Sequence, residues 1–186
     1  LQHVHRQENY VAAEVCRLKQ RKLLPPPDLD KNLKKLEARQ GMEYADKQRE
    51  AICLPFSSAI SLITGGPGTG KTTALLTMIS LLETYGLKTL LAAPTGRAAK
   101  RLTEVTGEEA STIHRLLEAS IDQNTGKMFF VRDEDSPLKC DAVIVDEMSM
   151  VDVQLLHSLL KAVPTGKRLI LVGDPDQLPP VGPGFP

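Results

Sequence analysis

Cysteine is scarce and scattered in this chain: Cys16, Cys53 and Cys140 lie far apart, with no CxxC pair and no Cys/His cluster. That pattern argues against a disulfide framework and against a zinc site, and it fits a reducing cytoplasm. Neither sign of charge is in excess, because 23 Lys and Arg balance 23 Asp and Glu. The overall charge therefore gives no argument for nucleic acid or for a membrane, and any site for a polyanion must be local. No apolar run approaches the roughly 20 residues that a membrane span needs, and no charged-then-apolar leader opens the sequence, so nothing points to insertion or secretion. Internal repeats and low-complexity tracts are missing as well. The first residue is not Met and the last three are Gly-Phe-Pro, ends expected of a piece of a longer protein.

What is present is 186 residues with an ordinary hydrophobic fraction of 41%, enough for one sizeable domain with an appendage. Tyr10, Val11, Val15 and Leu18 recur at helical spacing, and Pro25 to Pro27 end that pattern. Leu29, Leu33 and Leu36 form the stripe of a second, charged helix stopped by Gly41. Residues 1–42 read as the helical tail of a preceding domain, and residues 43–186 as the main domain.

From Tyr44 onward, short apolar runs alternate with helical patterns. "AISLIT" (59–64), "KTLLAAP" (88–94), "DAVIVDE" (141–147) and "KRLILVGD" (167–174) are nearly continuous in apolar residues, as strands of a parallel sheet buried on both faces are. Helices are expected over Thr72 to Tyr85, with Gly86 as the stop, and over Asp152 to Lys161. Alternation of this kind predicts a doubly wound α/β sheet, whose ligands bind at the carboxyl ends of the strands. The strings that follow the four strands, "GGPGTGKT", "PTGR", "DE" and "GDPDQ", are the most polar and glycine-rich in the chain, and the fold puts them all on one edge.

"GGPGTGKT", Gly65 to Thr72, fits the phosphate-loop pattern G-x-x-x-x-G-K-[ST] between a strand and a helix. Gly65, Gly66, Gly68 and Gly70 let the backbone N–H groups of a loop that also holds Pro67 and Thr69 curl around phosphate oxygens, and the helix start at Lys71, Thr72 and Thr73 adds partial positive charge. Lys71 is expected to bridge β- and γ-phosphates, and the Thr72 hydroxyl to ligate Mg²⁺. "VIVDEMSM" ends a buried strand with two acids: Asp146 is the expected partner of the metal, and Glu147 the base or positioner of an attacking water. Because successive strand residues face opposite ways, both acids reach one site only if the chain turns there.

The series "DKQREAI" (46–52), "GGPGTGKT", "LAAPTGRAAKRL" (91–102), "STIHRLL" (111–117), "VIVDEMSM" and "GDPDQLPPV" resembles, in order and spacing, the first half of a superfamily-one DNA helicase. Within that superfamily it is similar to the RecD-like branch, the exodeoxyribonuclease V alpha-subunit family. The resemblance covers roughly Tyr44 to Gly184. It implies a RecA-like P-loop NTPase lobe, with a mostly parallel sheet flanked by helices and a short helical segment in front. It further implies ATP with Mg²⁺ as cofactors, hydrolysis coupled to 5′ to 3′ travel on single-stranded DNA, and a role in recombination and repair.

Residue by residue, the resemblance makes Gln48 the reader of adenine, since a carboxamide both donates and accepts. Pro94, Thr95 and Arg97 fall in the family's DNA-contacting motif, where amides at a helix start can hold a DNA phosphate; Lys100 and Arg101 add local charge. Thr112 and His114 match a T-x-H element near the DNA path, with an N-cap and a packed histidine as the competing readings. Residues 119–138 occupy the slot of a duplex-splitting β-hairpin, with Phe129 and Phe130 as its tip or as filler of a small core. Gln177 is the expected γ-phosphate sensor, with Asp174 beside it, in a loop stiffened by Pro179 and Pro180.

The implied partners are single-stranded DNA, a second RecA-like lobe of the same parent chain, and recombination nuclease subunits. In the family an arginine from the second lobe stabilises the γ-phosphate, and such groups are worth about 10³ to 10⁵ in rate. This chain alone is therefore expected to bind nucleotide weakly and hydrolyse it slowly. A P-loop kinase, a AAA-type remodelling ATPase or a non-catalytic scaffold lobe would share the phosphate loop without needing "PTGRAAK" or "GDPDQLPPV".

Overall fold

The computed structural model describes residues 2–65 and 70–174. Seven helices and seven strands run in the order α1 (Gln2–Gln20), α2 (Leu29–Gln40), α3 (Asp46–Cys53), β1 (Ile60–Thr64), α4 (Lys71–Thr84), β2 (Thr89–Ala93), α5 (Gly96–Thr106), β3 (Ala110–Thr112), α6 (Ile113–Leu116), β4 (Ala119–Ile121), β5 (Met128–Phe130), β6 (Ala142–Val145), α7 (Val153–Ala162) and β7 (Arg168–Gly173). The four apolar runs become β1, β2, β6 and β7. They form one sheet with β3 in the order β1-β7-β6-β2-β3, and every pairing in it is parallel.

Side chains alternate between the faces of a strand, so the continuous apolar runs feed two cores at once. Val143 and Val145 of β6, with Leu169 and Leu171 of β7, pack on one side against Leu155, Leu156 and Leu159 of α7 and Val11 and Leu18 of α1. Ala142, Ile144, Ile170 and Val172 face the other side, against Met78, Leu81 and Leu82 of α4, Ile52 of α3, Phe56, and Leu29 and Leu33 of α2. The helices read from sequence as a tail thus lie on opposite faces of the sheet, and their apolar stripes share its two cores. Gly86 ends α4 at φ 69°, donating its N–H to the Glu83 carbonyl while Leu87 donates to Leu82, a left-handed closure that glycine adopts without strain.

The edge opposite the polar loops is tied by Asp141, just before β6. Its carboxylate accepts from the Lys88 backbone N–H at 2.8 Å and from Lys167 Nζ at 3.0 Å, joining the starts of β2, β6 and β7. These contacts, the Lys88 amide first, hold its carboxyl below the usual carboxylate range. A carboxylate so depressed stabilises the fold above its unfolded pKa of about 3.9 and stops doing so as pH falls through the folded value. Asp141→Asn is expected to lower the melting temperature modestly at pH 7. The gap to the unsubstituted chain closes as a melting series descends below about pH 4; a gap that is constant down to pH 2 would refute the assignment.

The segment after α6 is an antiparallel hairpin, with Ala119 opposite Phe130 and Ile121 opposite Met128. Its tip is polar rather than aromatic: Asp122 Oδ1 accepts from the Asn124 and Thr125 amides, and Gly126 closes the turn. Phe130 packs toward the α7 core, whereas Phe129, Met128 and Ile121 are exposed. No helix among the described residues is long and apolar enough to cross a membrane.

Candidate nucleotide and DNA edge

All five parallel strands end on one edge, and the polar strings leave them there. β1 runs into Gly65, β7 into the buried Asp174, β6 into Asp146, β2 into Pro94 and β3 into the start of α6. With the order β1-β7-β6-β2-β3, the phosphate-loop residues stand at one end of the edge and Thr95 and Thr112 at the other, with the acid pair between them.

At the first end a cavity of about 260 Å³ opens between α3 and α4. Its lining includes Lys47, Gln48 and Ala51 of α3, Thr64 and Gly65 at the end of β1, and Gly70, Lys71 and Ala74 at the start of α4. Lys71 Nζ donates to the Gly65 carbonyl at 3.2 Å, which curls the ammonium back over the loop. Thr72 is exposed and Thr73 half-buried on the first turn of α4. Gly66, Pro67, Gly68 and Thr69, and Gln177 with its loop, lie outside the described residues.

Gln48 sits within this slot. Its Oε1 accepts from the Ala45 amide at 3.1 Å, and its Nε2 abuts Gly70, where an added Cβ would collide with it. Gly70 itself has φ +76°, the left-handed region that L side chains rarely adopt. Gly70→Ala is therefore expected to destabilise the chain by about 1–2 kcal/mol. In denaturant unfolding this appears as a lower midpoint at unchanged slope; an unchanged midpoint would mean the loop does not need this conformation.

β6 stops at Val145, and Glu147 takes φ 57° and ψ 42°. That is an uncommon conformation for a side-chain-bearing residue, and it is the turn that two adjacent acids need to reach one site. The Asp146 amide donates to the Ala92 carbonyl at 3.0 Å, fixing the acids beside the loop after β2. Glu147 N–H donates to Asp146 Oδ1 at 2.9 Å, and Arg101 Nη1 of α5 lies 3.8 Å from Glu147 Oε1. Burial pushes the Asp146 carboxyl up, against the Glu147 amide, which lowers it; the charge of Glu147 raises it further, and Lys71 and Arg101 oppose. A carboxylate that burial disfavours gains from a cation placed beside it.

No group of three or more His, Cys, Asp or Glu side chains converges among the described residues. Mg²⁺ keeps several waters and takes one or two protein oxygens together with substrate phosphates. Asp146 and the Thr72 hydroxyl are hard oxygen donors of that kind.

At the far end of the edge, two threonines cap helices. Thr95 Oγ1 accepts from the Ala98 amide at 3.1 Å and Thr112 Oγ1 from the Arg115 amide at 3.1 Å. Pro94 is half-buried, Arg97 is exposed on the first turn of α5, and exposed His114 stacks at 5.7 Å, tilted, on Phe130 of the hairpin. Thr112 is thus the N-cap that its sequence context allows, and His114 rests on the hairpin rather than inside a core.

Two sets of contacts are not visible in the sequence motifs. One is the contact of Arg101 with Glu147, which links the helix after β2 to the acid pair. The other is a buried polar cluster of Glu37, Tyr44, Arg49 and Thr77 beside the slot. The sequence signal for the cluster is slight: one aromatic residue in a charged stretch, and Thr77 among the apolar residues of the buried face of α4.

Residues 48–183 match the family described as AAA domain. The chain is 45% identical over 150 residues to an ATP-dependent RecD2 DNA helicase of Deinococcus radiodurans, a match covering 81% of this chain and 20% of that one. It is 38% identical over 162 residues to the RecBCD enzyme subunit RecD of Mycolicibacterium smegmatis, over 75% of this chain and 29% of the other. The chain thus spans well under a third of these relatives' lengths. A solved Pif1 helicase from Bacteroides, in complex with ADP-AlF3 and ssDNA, aligns with a TM-score of 0.54 at 27% identity, over 76% of this chain and 34% of that one. The match runs from Gln48 on α3 through both acids to Pro183: the chain belongs to the AAA domain family and is a RecD-like helicase lobe.

Proposed function

We propose that this lobe binds ATP with Mg²⁺ between α3 and α4 and, within a longer parent chain, couples hydrolysis to 5′ to 3′ travel on single-stranded DNA. The observation that carries the reading is the order along one sheet edge: a slot holding Gln48 and Lys71, then the turned acid pair, then two threonine-capped helix starts. The names of the relatives, DNA helicases and RecBCD subunits, support it.

In this mechanism a phosphate oxygen entering the slot replaces the Gly65 carbonyl as acceptor for Lys71 Nζ, while the amides of Gly66, Gly68, Thr69 and Gly70 receive the remaining oxygens. Gln48 turns its carboxamide to the adenine edge. Asp146 and Thr72 would hold Mg²⁺, which when bound neutralises charge on the phosphates and keeps Asp146 ionised. As the oxygen of the attacking water bonds to the γ-phosphorus and the bond to the β–γ bridging oxygen breaks, a carboxylate oxygen of Glu147 takes the water's proton, and ADP and phosphate are the products. Gln177 contacts the γ-phosphate and reports its loss. A second RecA-like lobe closes on the nucleotide and supplies the missing arginine, and in a nuclease assembly further subunits join it.

DNA lies across Pro94, Thr95, Arg97, Thr112 and His114, gripped through its backbone, so binding is independent of sequence and weakens with salt. The hairpin at 119–130, whose exposed Phe129 and Met128 flank a polar tip, is proposed as the element that meets the duplex. The division at residue 42 is proposed as the point where a preceding domain joins, with α1 and α2 docked on the lobe.

The test is ATP hydrolysis by the longer parent with and without single-stranded DNA. Stimulation by DNA of any sequence, lost at high salt, is expected. Phosphate transfer to a small molecule with no response to DNA would overturn the reading.

A further inference from the structure

Beside the slot between α3 and α4, the buried polar cluster ties three helices together. Tyr44, buried in the loop before α3, brings its hydroxyl within hydrogen-bond reach of Gln40 Oε1 of α2 at 2.8 Å, the Thr73 carbonyl of α4 at 3.4 Å, and Thr77 Oγ1 of α4. Gln40 Nε2 donates in turn to Thr77 Oγ1 at 3.1 Å, and Thr77 is fully buried. Glu37 of α2, 5% exposed, accepts the Tyr44 N–H at 2.9 Å through one oxygen and meets Arg49 Nη2 at 2.5 Å through the other. Arg49 follows Gln48 on α3 and returns to the Tyr44 carbonyl at 3.4 Å.

Phenylalanine and valine would fill these positions with less desolvation, because a buried hydroxyl or carboxylate costs free energy unless its partners are placed. What the polar groups add is direction: each bond fixes one distance between α2, the 41–45 loop and α4. The slot lies between α3 and α4, and Gln48 touches Gly70 across it. Tyr44 meets Thr77 one turn along α4 from Thr73, next to the helix start that lines the slot.

We propose that Tyr44 and Glu37 are positioning residues for base selection: they hold α3, with Gln48, at the spacing from α4 that favours adenine, without touching the nucleotide. This rests on the reading of the slot as the ATP site. α2 then serves the nucleotide site as well as the core.

The experiment is calorimetric titration of the chain with Mg-ADP, Mg-GDP and Mg-pyrophosphate, which has no base. Tyr44→Phe and Glu37→Gln are each expected to weaken ADP about three- to tenfold, the worth of one hydrogen bond, and to narrow the ADP-over-GDP preference. The pyrophosphate affinity is expected to stay the same, since the phosphate loop is untouched. Should Glu37→Gln unfold, Thr77→Val, which keeps the volume, carries the same expectation. An unchanged ADP-over-GDP preference in Tyr44→Phe and Thr77→Val, while Gln48→Ala loses it, overturns the positioning role alone. Pyrophosphate weakening in step with ADP also overturns it, because that marks general loosening. No preference in the unsubstituted chain overturns base reading in the slot, and the positioning role with it.

Discussion

Lys71→Ala is expected to abolish measurable ATP hydrolysis by the parent helicase, with a fall of about 10² to 10³ or more. The ammonium reaches the loop carbonyl at Gly65, at 3.2 Å, and in the proposed site it would face the charge that builds on the phosphates as the γ-phosphoryl leaves. Charge-assisted bonds in a half-buried site are about twice as strong as neutral ones, and the methyl of alanine supplies nothing in return. Nucleotide affinity of the chain is expected to fall as well, because the ground state carries the same contact. The fold should hold, since the 3.2 Å bond of Lys71 goes to a carbonyl that water can serve; the melting temperature checks this. Equal ADP affinity in Lys71→Ala and the unsubstituted chain would favour a scaffold lobe over a motor.

Glu147→Gln is expected to separate binding from chemistry. Glutamine keeps the size of the side chain and removes the carboxylate proposed to accept the proton, with an expected loss of about 10² to 10⁴ in the hydrolytic rate. Nucleotide affinity should be retained or rise slightly, because a negative charge beside the phosphates is removed while Asp146 and Lys71 stay. Single-turnover hydrolysis by the parent measures the first effect and titration the second. A variant with near-normal turnover would move the base elsewhere. Glu147 is held in a left-handed turn with Arg101 3.8 Å from its carboxylate, so the loss should persist at saturating DNA; rescue by DNA would mean that the carboxylate only positions the loop.

Much of the lobe is legible in the linear text because its physics is local. β1, β2, β6 and β7 are short apolar runs that cannot be satisfied on one face, and the two cores on either side of Ile144 and Val145 are what that pattern requires. The stop of α4 at Gly86 follows from one residue's φ. The hairpin at 119–130 announces itself through Asn124 to Gly126, although its tip is polar and Phe130 turns inward. The sequence leaves Thr112 open between a place near the DNA path and an N-cap and reads Thr95 as a phosphate contact; the structure shows both as caps, through their bonds to Arg115 and Ala98. An N-cap oxygen accepts from the helix and leaves its own proton to donate, so the two roles do not exclude each other.

Periodicity and motif spacing, being set by the chain's own dihedrals and by the reach of a few residues, determined four of the five parallel strands, the turn at the acid pair and the edge on which the strands end. Contacts between segments far apart in sequence have no such local rule, and only the tertiary structure decided them: α1 and α2 on opposite faces of the sheet, Arg101 against Glu147, and Tyr44 against Thr77, 33 residues away. Each of these depends on how packed helices settle against one another, where a shift of one side chain's width makes or breaks the bond.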